Sequence, residues 1–223
     1  MSGEDNSGKI RRANVDLEGR EPLEIVEWGI RQAGGGAIVS TNFRPYEAVI
    51  LHLCVQVQPD IPVLWVDHGC NREATYRHAA ELQSRLGLKL KVFRPEMSKD
   101  EWEAVHGSVD LMEAEQDLKR FSTEMKLKPF RHGMRELAPR IWVTALRKVQ
   151  NPNRSGLGVV SDDPNFGSIK LSPLFHWSDS EMEGYLAEHD LPNEWDYFDP
   201  AKADEKRECG LHAGWGGEAV AKE

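Results

Sequence analysis

Cysteine is scarce in this chain, long apolar runs are absent and positive charge is in the minority. Three cysteines in 223 residues are an odd number, which does not suit a disulfide framework. Residues 1–20 contain no apolar stretch of the kind that directs secretion. Both features predict a cytoplasmic protein with reduced thiols. No run approaches the roughly 18–20 apolar residues that span a bilayer, so we expect no membrane association.

Acidic residues outnumber basic ones, with 37 Asp and Glu against 28 Lys and Arg and a formal net charge of −9. This balance argues against broad, charge-driven binding to nucleic acid or to an anionic membrane. Several basic residues nevertheless fall within one C-terminal stretch, namely Arg147, Lys148, Arg154 and Lys170. The distribution favours a small anionic ligand over a polymer.

Short apolar runs alternate with longer amphipathic ones through the first half of the chain. Buried strands are predicted at residues 37–39, 61–66 and 89–93. Helices are predicted at residues 22–32, 46–57 and 75–86. This alternation is typical of a parallel sheet with right-handed crossovers. The sequence therefore predicts the α/β fold class, with a single domain whose mostly parallel, twisted sheet carries helices on both faces.

The second half of the chain is predicted to complete the same domain. Helical structure is predicted over 99–128 and 130–137, and strands over 140–146 and 169–173. A last helix begins after Ser178, because Glu181 three residues later completes a capping box. The organisation is interpreted as a loosely ordered N-terminal extension, a ligand-binding domain and a mobile C-terminal tail, at residues 1–20, 21–195 and 196–223.

Three polar segments follow predicted strands, at residues 40–44, 67–72 and 147–154. In open parallel sheets, ligands bind outside the carboxyl ends of the strands. The three segments are therefore expected to converge on one ligand-binding crevice.

The segment from Lys206 to His212, with the sequence KRECGLH, resembles the terminal signature of phosphoadenylyl-sulfate and adenylyl-sulfate reductases. These enzymes belong to the adenine nucleotide α-hydrolase-like superfamily. Three internal blocks resemble the family's modified phosphate loop, its nucleotide-binding loop and its Arg-rich motif. They are Ser40-Thr41-Asn42-Phe43, then Asp67 with Gly69, then Arg147-Lys148 with Gln150 and Arg154.

The resemblance implies a reaction of sulfate assimilation and cysteine biosynthesis. Cys209 would attack the sulfur of 3′-phosphoadenylyl sulfate, giving an enzyme S-sulfocysteine and adenosine 3′,5′-bisphosphate. Thioredoxin or glutaredoxin would then release sulfite. The resemblance places His212 beside Cys209 in catalysis and the three internal blocks in substrate binding, together with Lys206 and Arg207. It also implies a homodimer, because members of this family are often homodimers.

The chemistry of the tail agrees with a nucleophilic role for Cys209. A thiolate is the reactive form, and nearby cations lower the pKa of a thiol. Lys206, Arg207 and His212 are close in sequence and would supply positive charge, although Glu208 opposes it. Arg147 and Arg154 suit sulfate and phosphate oxygens, since a guanidinium pairs with them bidentately.

An iron–sulfur cluster is excluded by counting. A four-iron cluster needs four thiolates, and this chain has only Cys54, Cys70 and Cys209. We therefore expect no bound cofactor and no metal, and the cluster-free branch of the family generally uses the 3′-phosphorylated substrate. Cys54 is predicted to be a core residue and Cys70 a free loop thiol.

Two departures from the family pattern keep other functions open. Arg44 follows Phe43 where the family usually has Gly, and the segment between Trp195 and Cys209 is shorter than usual. One alternative is a nucleotidyl transferase or ATP pyrophosphatase on the same fold. The other is a non-catalytic or repurposed nucleotide-binding relative.

Overall fold

A six-stranded sheet forms the centre of the protein in the computed structural model, which describes residues 6–150, 157–163 and 165–200. Its strands are β1 (Ala37–Thr41), β2 (Pro62–Val66), β3 (Lys89–Phe93), β4 (Ile141–Val143), β5 (Val160–Asp163) and β6 (Ser168–Leu171). The order across the sheet is β3-β2-β1-β4-β6-β5. Every neighbouring pair is parallel except β5 with β6, which are antiparallel. The arrangement confirms the predicted fold class.

Eight α-helices are found in the described ranges. They are α1 (Asn6–Asp16), α2 (Pro22–Ala33), α3 (Glu47–Val57), α4 (Glu73–Leu86), α5 (Lys99–His106), α6 (Glu115–Phe121), α7 (Lys128–Leu137) and α8 (Asp179–Glu188). A π-helical turn, Ser122–Leu127, joins α6 to α7, and a 3-10 turn, Lys148–Gln150, follows β4. The predicted capping box of α8 is confirmed, since the Ser178 hydroxyl accepts from Glu181 N and the Glu181 carboxylate accepts from Ser178 N.

The sheet is buried on both faces because alternate residues of each strand point to opposite sides. On β1, Val39 joins the large core formed with α2, α3 and α8, whereas Ile38 joins the cluster that contains Phe130 and Met134 of α7. The same alternation holds on β2 for Val63 and Leu64. Burial on both faces explains the nearly continuous apolar runs of these strands.

The N-terminal segment differs from its sequence interpretation as a loosely ordered extension. Residues Asn6–Asp16 form α1, which packs against the edge strand β5. The Asn14 side-chain amide donates to Val160 O at 2.8 Å, and its Oδ1 accepts from Val160 N at 3.0 Å. Asn14 thus pairs with the strand edge as a neighbouring strand would. The strand β5 was itself absent from the sequence-based elements.

The first strand is two residues longer than predicted. β1 runs to Thr41, so Ser40 and Thr41 belong to the strand rather than to the following loop. Among the described residues, no helix is both long enough and apolar enough to cross a membrane.

Candidate active site

The polar segments after β1, β2 and β4 meet at one edge of the sheet. β1 lies between β2 and β4 and is parallel to both, so the three carboxyl ends are neighbours. The convergence predicted from the sequence is therefore observed for the described parts of these segments. In sheets of this type, this edge is where ligands bind.

The loop between β1 and α3 is organised around the carboxylate of Glu47, the first residue of α3. Glu47 Oε2 accepts from Thr41 Oγ1 at 2.8 Å and from Asn42 N at 2.7 Å, and Oε1 lies 3.0 Å from Arg44 Nε. Glu47 is only 6% exposed, and its negative charge lies at the N-terminal end of its own helix, where it is stabilised. The sequence suggested Thr41 and Asn42 as hydrogen-bond donors to an anionic ligand. In the structure, the Thr41 hydroxyl and the Asn42 backbone N–H donate to Glu47.

The same loop contains two non-glycine residues with left-handed backbone, Phe43 at φ 55° and Tyr46 at φ 72°. Such conformations are costly unless the surroundings hold them. The Phe43 ring is fully buried and packs edge-on against Trp65 at 5.0 Å between centroids. Tyr46 N donates to Asn193 Oδ1 at 2.8 Å. Tertiary contacts therefore fix the shape of this loop.

Ser40 and Asp67 lie at the ends of β1 and β2. Ser40 Oγ accepts from Trp142 Nε1 at 2.8 Å, which links β1 to β4. Asp67 is buried, and its Oδ1 accepts from Gly69 N at 3.1 Å and from Tyr76 Oη at 2.8 Å.

Asp67 also organises the loop that follows β2. Its Oδ2 forms an ion pair with Arg94 Nε at 3.2 Å. Gly69 has φ 75°, a conformation that favours glycine, so the loop can turn back toward the carboxylate. A ligand contact by Asp67 stays a prediction.

Cys70 and His68 lie behind this loop in a buried apolar cluster with Trp102 and Phe121. Cys70 is a free thiol and 8% exposed, so it is less accessible than the predicted loop thiol. Burial raises the pKa of Cys70 to about 12. Burial, and then the charge of Lys126, lower the pKa of His68 to about 4, against the opposing effect of nearby carboxylates. Both groups are therefore neutral at pH 7.

Arg147 follows β4 and is almost fully buried. Its Nη2 lies 2.7 Å from Asp179 Oδ1, its Nη1 donates to Trp177 O at 3.3 Å, and its guanidinium lies over the Tyr46 ring at 5.2 Å. These contacts hold the turn after β4 against α8. Lys148, the next residue, is exposed. These three contacts of Arg147 are with an acid, a carbonyl and a ring, and its anion contact stays a prediction.

Gln150 joins the two neighbouring loops. Its Oε1 accepts from Arg147 N at 3.3 Å and from Arg44 Nη2 at 3.3 Å. Gln150 was predicted as a substrate ligand, and that role stays a prediction.

A C-terminal segment, residues 193–199, crosses the carboxyl edge of the sheet. Asn193 bonds the β1–α3 loop, and Asp196 forms an ion pair with Arg72 in the loop after β2. The Phe198 ring lies 5.5 Å from the Arg72 guanidinium carbon. At the end of this segment, Asp199 forms a buried ion pair with Lys126, whose Nζ lies 2.6 Å from Asp199 Oδ2. The segment therefore contacts two of the three converging loops.

The remaining site residues that the sequence suggested lie outside the described residues. They are Arg154, Lys206, Arg207, Cys209 and His212. In the described part of the chain, no group of three or more His, Cys, Asp or Glu side chains is arranged to hold a metal ion.

The sequence analysis noted Arg44 only as a departure from the family's glycine, and it missed three residues of this edge: Glu47, Lys126 and Asp199. For Glu47 a signal existed, since an acidic residue in the first turn of a helix is favourable there. Lys126 and Asp199 gave no signal, because they are 73 residues apart in sequence and resemble ordinary surface charges.

Known proteins share this sequence pattern and this fold. The family model for the phosphoadenosine phosphosulfate reductase domain matches residues 36–195. The phosphoadenosine 5′-phosphosulfate reductase of Synechococcus sp. is 33% identical, over 91% of this chain and 97% of the relative. A phosphoadenylyl-sulfate reductase from Candida auris, solved as a phosphate complex, aligns with a TM-score of 0.73 and 22% identity over 86% of this chain and 91% of its own. Candida glabrata FMN adenylyltransferase shares the fold at a TM-score of 0.57 and 15% identity, over 86% of this chain and 62% of its own.

Proposed function

Because this chain belongs to the phosphoadenosine phosphosulfate reductase family, we propose that it reduces 3′-phosphoadenylyl sulfate to sulfite and adenosine 3′,5′-bisphosphate. The observation that carries the proposal is the extent of the family match, which takes in all three loops at the carboxyl edge. The family relationship favours a reductase over a transferase, whose structural likeness at 15% identity concerns the fold alone.

The substrate is a small molecule with several negative charges, and the carboxyl edge offers it polar groups from separate loops. Lys148 is an exposed cation on the turn after β4, and Arg154 follows in the same segment. Phosphate and sulfate oxygens pair well with such groups. In this proposal the loops after β1 and β4 hold the anionic groups, and the loop after β2, with Asp67 and Gly69, holds the nucleoside.

The path of the C-terminal segment supports a role for the tail. Asp199 is fixed beside the carboxyl edge, and Cys209 follows ten residues later. Ten residues reach at most about 35 Å when extended, which is enough to cross the face of a small domain. This reach is long enough for Cys209 to approach the carboxyl edge in the proposed reaction.

The proposed first step is a displacement at sulfur. The Cys209 thiolate forms a bond to the sulfate sulfur, and the bond between that sulfur and the bridging oxygen breaks. The electron pair leaves with adenosine 3′,5′-bisphosphate, and the enzyme keeps an S-sulfocysteine. Cations around the sulfate oxygens favour this step, since they reduce the repulsion between the thiolate and its target.

The proposed second step consumes a dithiol. One thiolate of reduced thioredoxin or glutaredoxin attacks the Cys209 sulfur, and sulfite leaves with the electron pair. The second thiol of the redoxin then resolves the mixed disulfide. The two electrons of the reduction come from the redoxin, which ends as a disulfide, so the chain itself needs no bound cofactor.

Intact-mass spectrometry of reduced protein mixed with 3′-phosphoadenylyl sulfate tests the covalent step. We expect an added mass of about 80 Da on the parent protein, absent from Cys209→Ser and retained in the matched control Cys70→Ala. Reduced thioredoxin or glutaredoxin should remove it and release sulfite. Binding of adenosine 3′,5′-bisphosphate without any adduct would overturn the proposal and leave a non-catalytic nucleotide-binding relative.

A further inference from the structure

We propose that Arg44 is a positioning residue that fixes the β1–α3 loop against the turn after β4, and so sets the spacing of two substrate-binding loops. The inference rests on the proposed function for its substrate. It assigns a role to the residue at which this chain departs from the usual glycine of the phosphate loop.

The side chain of Arg44 bridges the two loops directly. Its Nε lies 3.0 Å from Glu47 Oε1, and its Nη2 donates to Gln150 Oε1 at 3.3 Å. The side chain is only 22% exposed, so water competes weakly for these donors. Arg44 and Gln150 are 106 residues apart in sequence, and β1 and β4 bring their loops together.

Each partner of Arg44 organises its own loop. The Glu47 carboxylate accepts from Thr41 Oγ1 and Asn42 N, which shape the end of β1. The Gln150 oxygen accepts from Arg147 N, which closes the turn after β4. Arg44 therefore connects two loops, each of which is held by its own hydrogen bonds. Through this connection, a shift of one loop would move the other.

A guanidinium suits the two acceptors at this position. Arg presents donors in a rigid planar fork, so Nε and Nη2 can serve two acceptors in different directions. A Lys ammonium keeps the charge without that fork, and Gly keeps neither. The backbone at residue 44 does not require glycine, because the left-handed conformations of this loop fall on Phe43 and Tyr46.

The functional consequence concerns binding more than chemistry. A substrate that places anionic groups on both loops is bound best when the distance between the two loops matches the distance between those groups. The same match stabilises the bound substrate and the transition state equally. Losing uniform binding raises KM and leaves kcat nearly unchanged. For Arg44→Gly we expect KM for 3′-phosphoadenylyl sulfate to rise about tenfold, with kcat changed by less than about twofold.

A double-mutant cycle separates positioning from direct charge contact. We expect Arg44→Gly, Gln150→Ala and the double variant to lose about the same affinity for adenosine 3′,5′-bisphosphate in calorimetry, since each breaks the same bridge. Arg44→Lys should resemble Arg44→Gly. Arg20→Gly, which removes an exposed loop arginine paired with Glu24, is the matched control and should bind like the parent.

Several results would overturn the inference. The first is an Arg44→Gly variant that binds adenosine 3′,5′-bisphosphate as tightly as the parent. The second is a double variant whose loss of binding free energy equals the sum of the two single losses. The third is an Arg44→Lys variant with parental affinity, which would assign Arg44 a charge role instead. The same double-mutant cycle can be measured without ligand, from the free energies of unfolding in urea. A coupling free energy of zero between Arg44 and Gln150 in that measurement would also overturn the inference. Failure of the proposed function is distinguishable, because it would appear as a missing sulfite adduct on the parent protein.

Discussion

Lys126 and Asp199 form an ion pair in which both side chains are buried, at 4% and 3% exposure. Lys126 Nζ donates to both carboxylate oxygens, at 2.8 Å and 2.6 Å. The pair ties the C-terminal segment to the π-helical turn between α6 and α7. Taking two charges out of water is costly, so removing one partner leaves the other buried without this counter-charge.

Breaking this pair should therefore destabilise the protein strongly. We expect Lys126→Met or Asp199→Asn to lower the free energy of unfolding by about 3–5 kcal/mol in urea denaturation. The double variant Lys126→Met/Asp199→Leu should lose clearly less than either single variant. Arg77→Met, which breaks an exposed pair with Glu73, should cost no more than about 1 kcal/mol. Equal losses in the exposed and buried pairs would contradict this assignment.

The described cysteines should be unreactive in the folded protein. Burial raises the pKa of Cys54 far above its ordinary value and that of Cys70 to about 12, so neither forms a thiolate at pH 7. Iodoacetamide at neutral pH should label one cysteine per native chain, at Cys209, and all three after denaturation. Peptide mass mapping identifies the site. Rapid native labelling of Cys70 would show that the loop after β2 opens.

His68 should make stability depend on pH in the acid range. Its folded pKa of about 4 lies below the unfolded value of about 6.5, so the unfolded state binds more protons between them. The contribution of His68 to stability is therefore fully present above about pH 6.5 and is lost as the pH drops toward 4.

The variant His68→Gln isolates this contribution. In urea denaturation across the same pH range, the parent should lose up to about 1.4 kcal/mol per pH unit more than the variant. Cys70 N donates to His68 Nδ1 at 3.1 Å, and protonation of that nitrogen would remove this bond. Parallel pH profiles of parent and variant would show that His68 is not buried as a neutral ring.

Asn14 should stabilise the junction of α1 with the sheet. Its amide satisfies both backbone groups of Val160 at the edge strand, so Asn14→Ala leaves a donor and an acceptor without this partner. We expect a loss of about 1–3 kcal/mol in the free energy of unfolding. Asn6→Ala is the control, since its bond to Asp162 is exposed and should contribute little. Wild-type stability in Asn14→Ala would mean that α1 is not docked there.

The main elements of the fold could be predicted because their signals are local. Burial on both faces gives the strands continuous apolar runs, and the exact bounds of β3 follow from its alternation between Lys89 and Phe93. The capping box of Ser178 and Glu181 is likewise contained in four residues. Local signals failed for α1, which has few apolar residues and docks through the Asn14 amide, and for the short edge strand β5.

The candidate site was predictable in position but not in its contacts. Parallel strands place their carboxyl ends together, so the three polar segments could be assigned to one edge. The partners of each side chain could not be assigned, because Arg147 meets Asp179 and Asp67 meets Arg94 only after distant segments pack. The roles of Glu47 and Gln150 as hydrogen-bond hubs appear only in three dimensions.

The sequence by itself determined the α/β alternation, the limit of three thiols and the order of the family motifs, since each depends on neighbouring residues or on a count. The tertiary structure decided which charges are buried and what they contact. Arg44 with Gln150 and Lys126 with Asp199 are separated by 106 and 73 residues, and their pairing depends on sheet order and helix packing. Such pairs are invisible in a linear pattern because the free energy of a buried charge depends on its surroundings rather than on its neighbours in the chain.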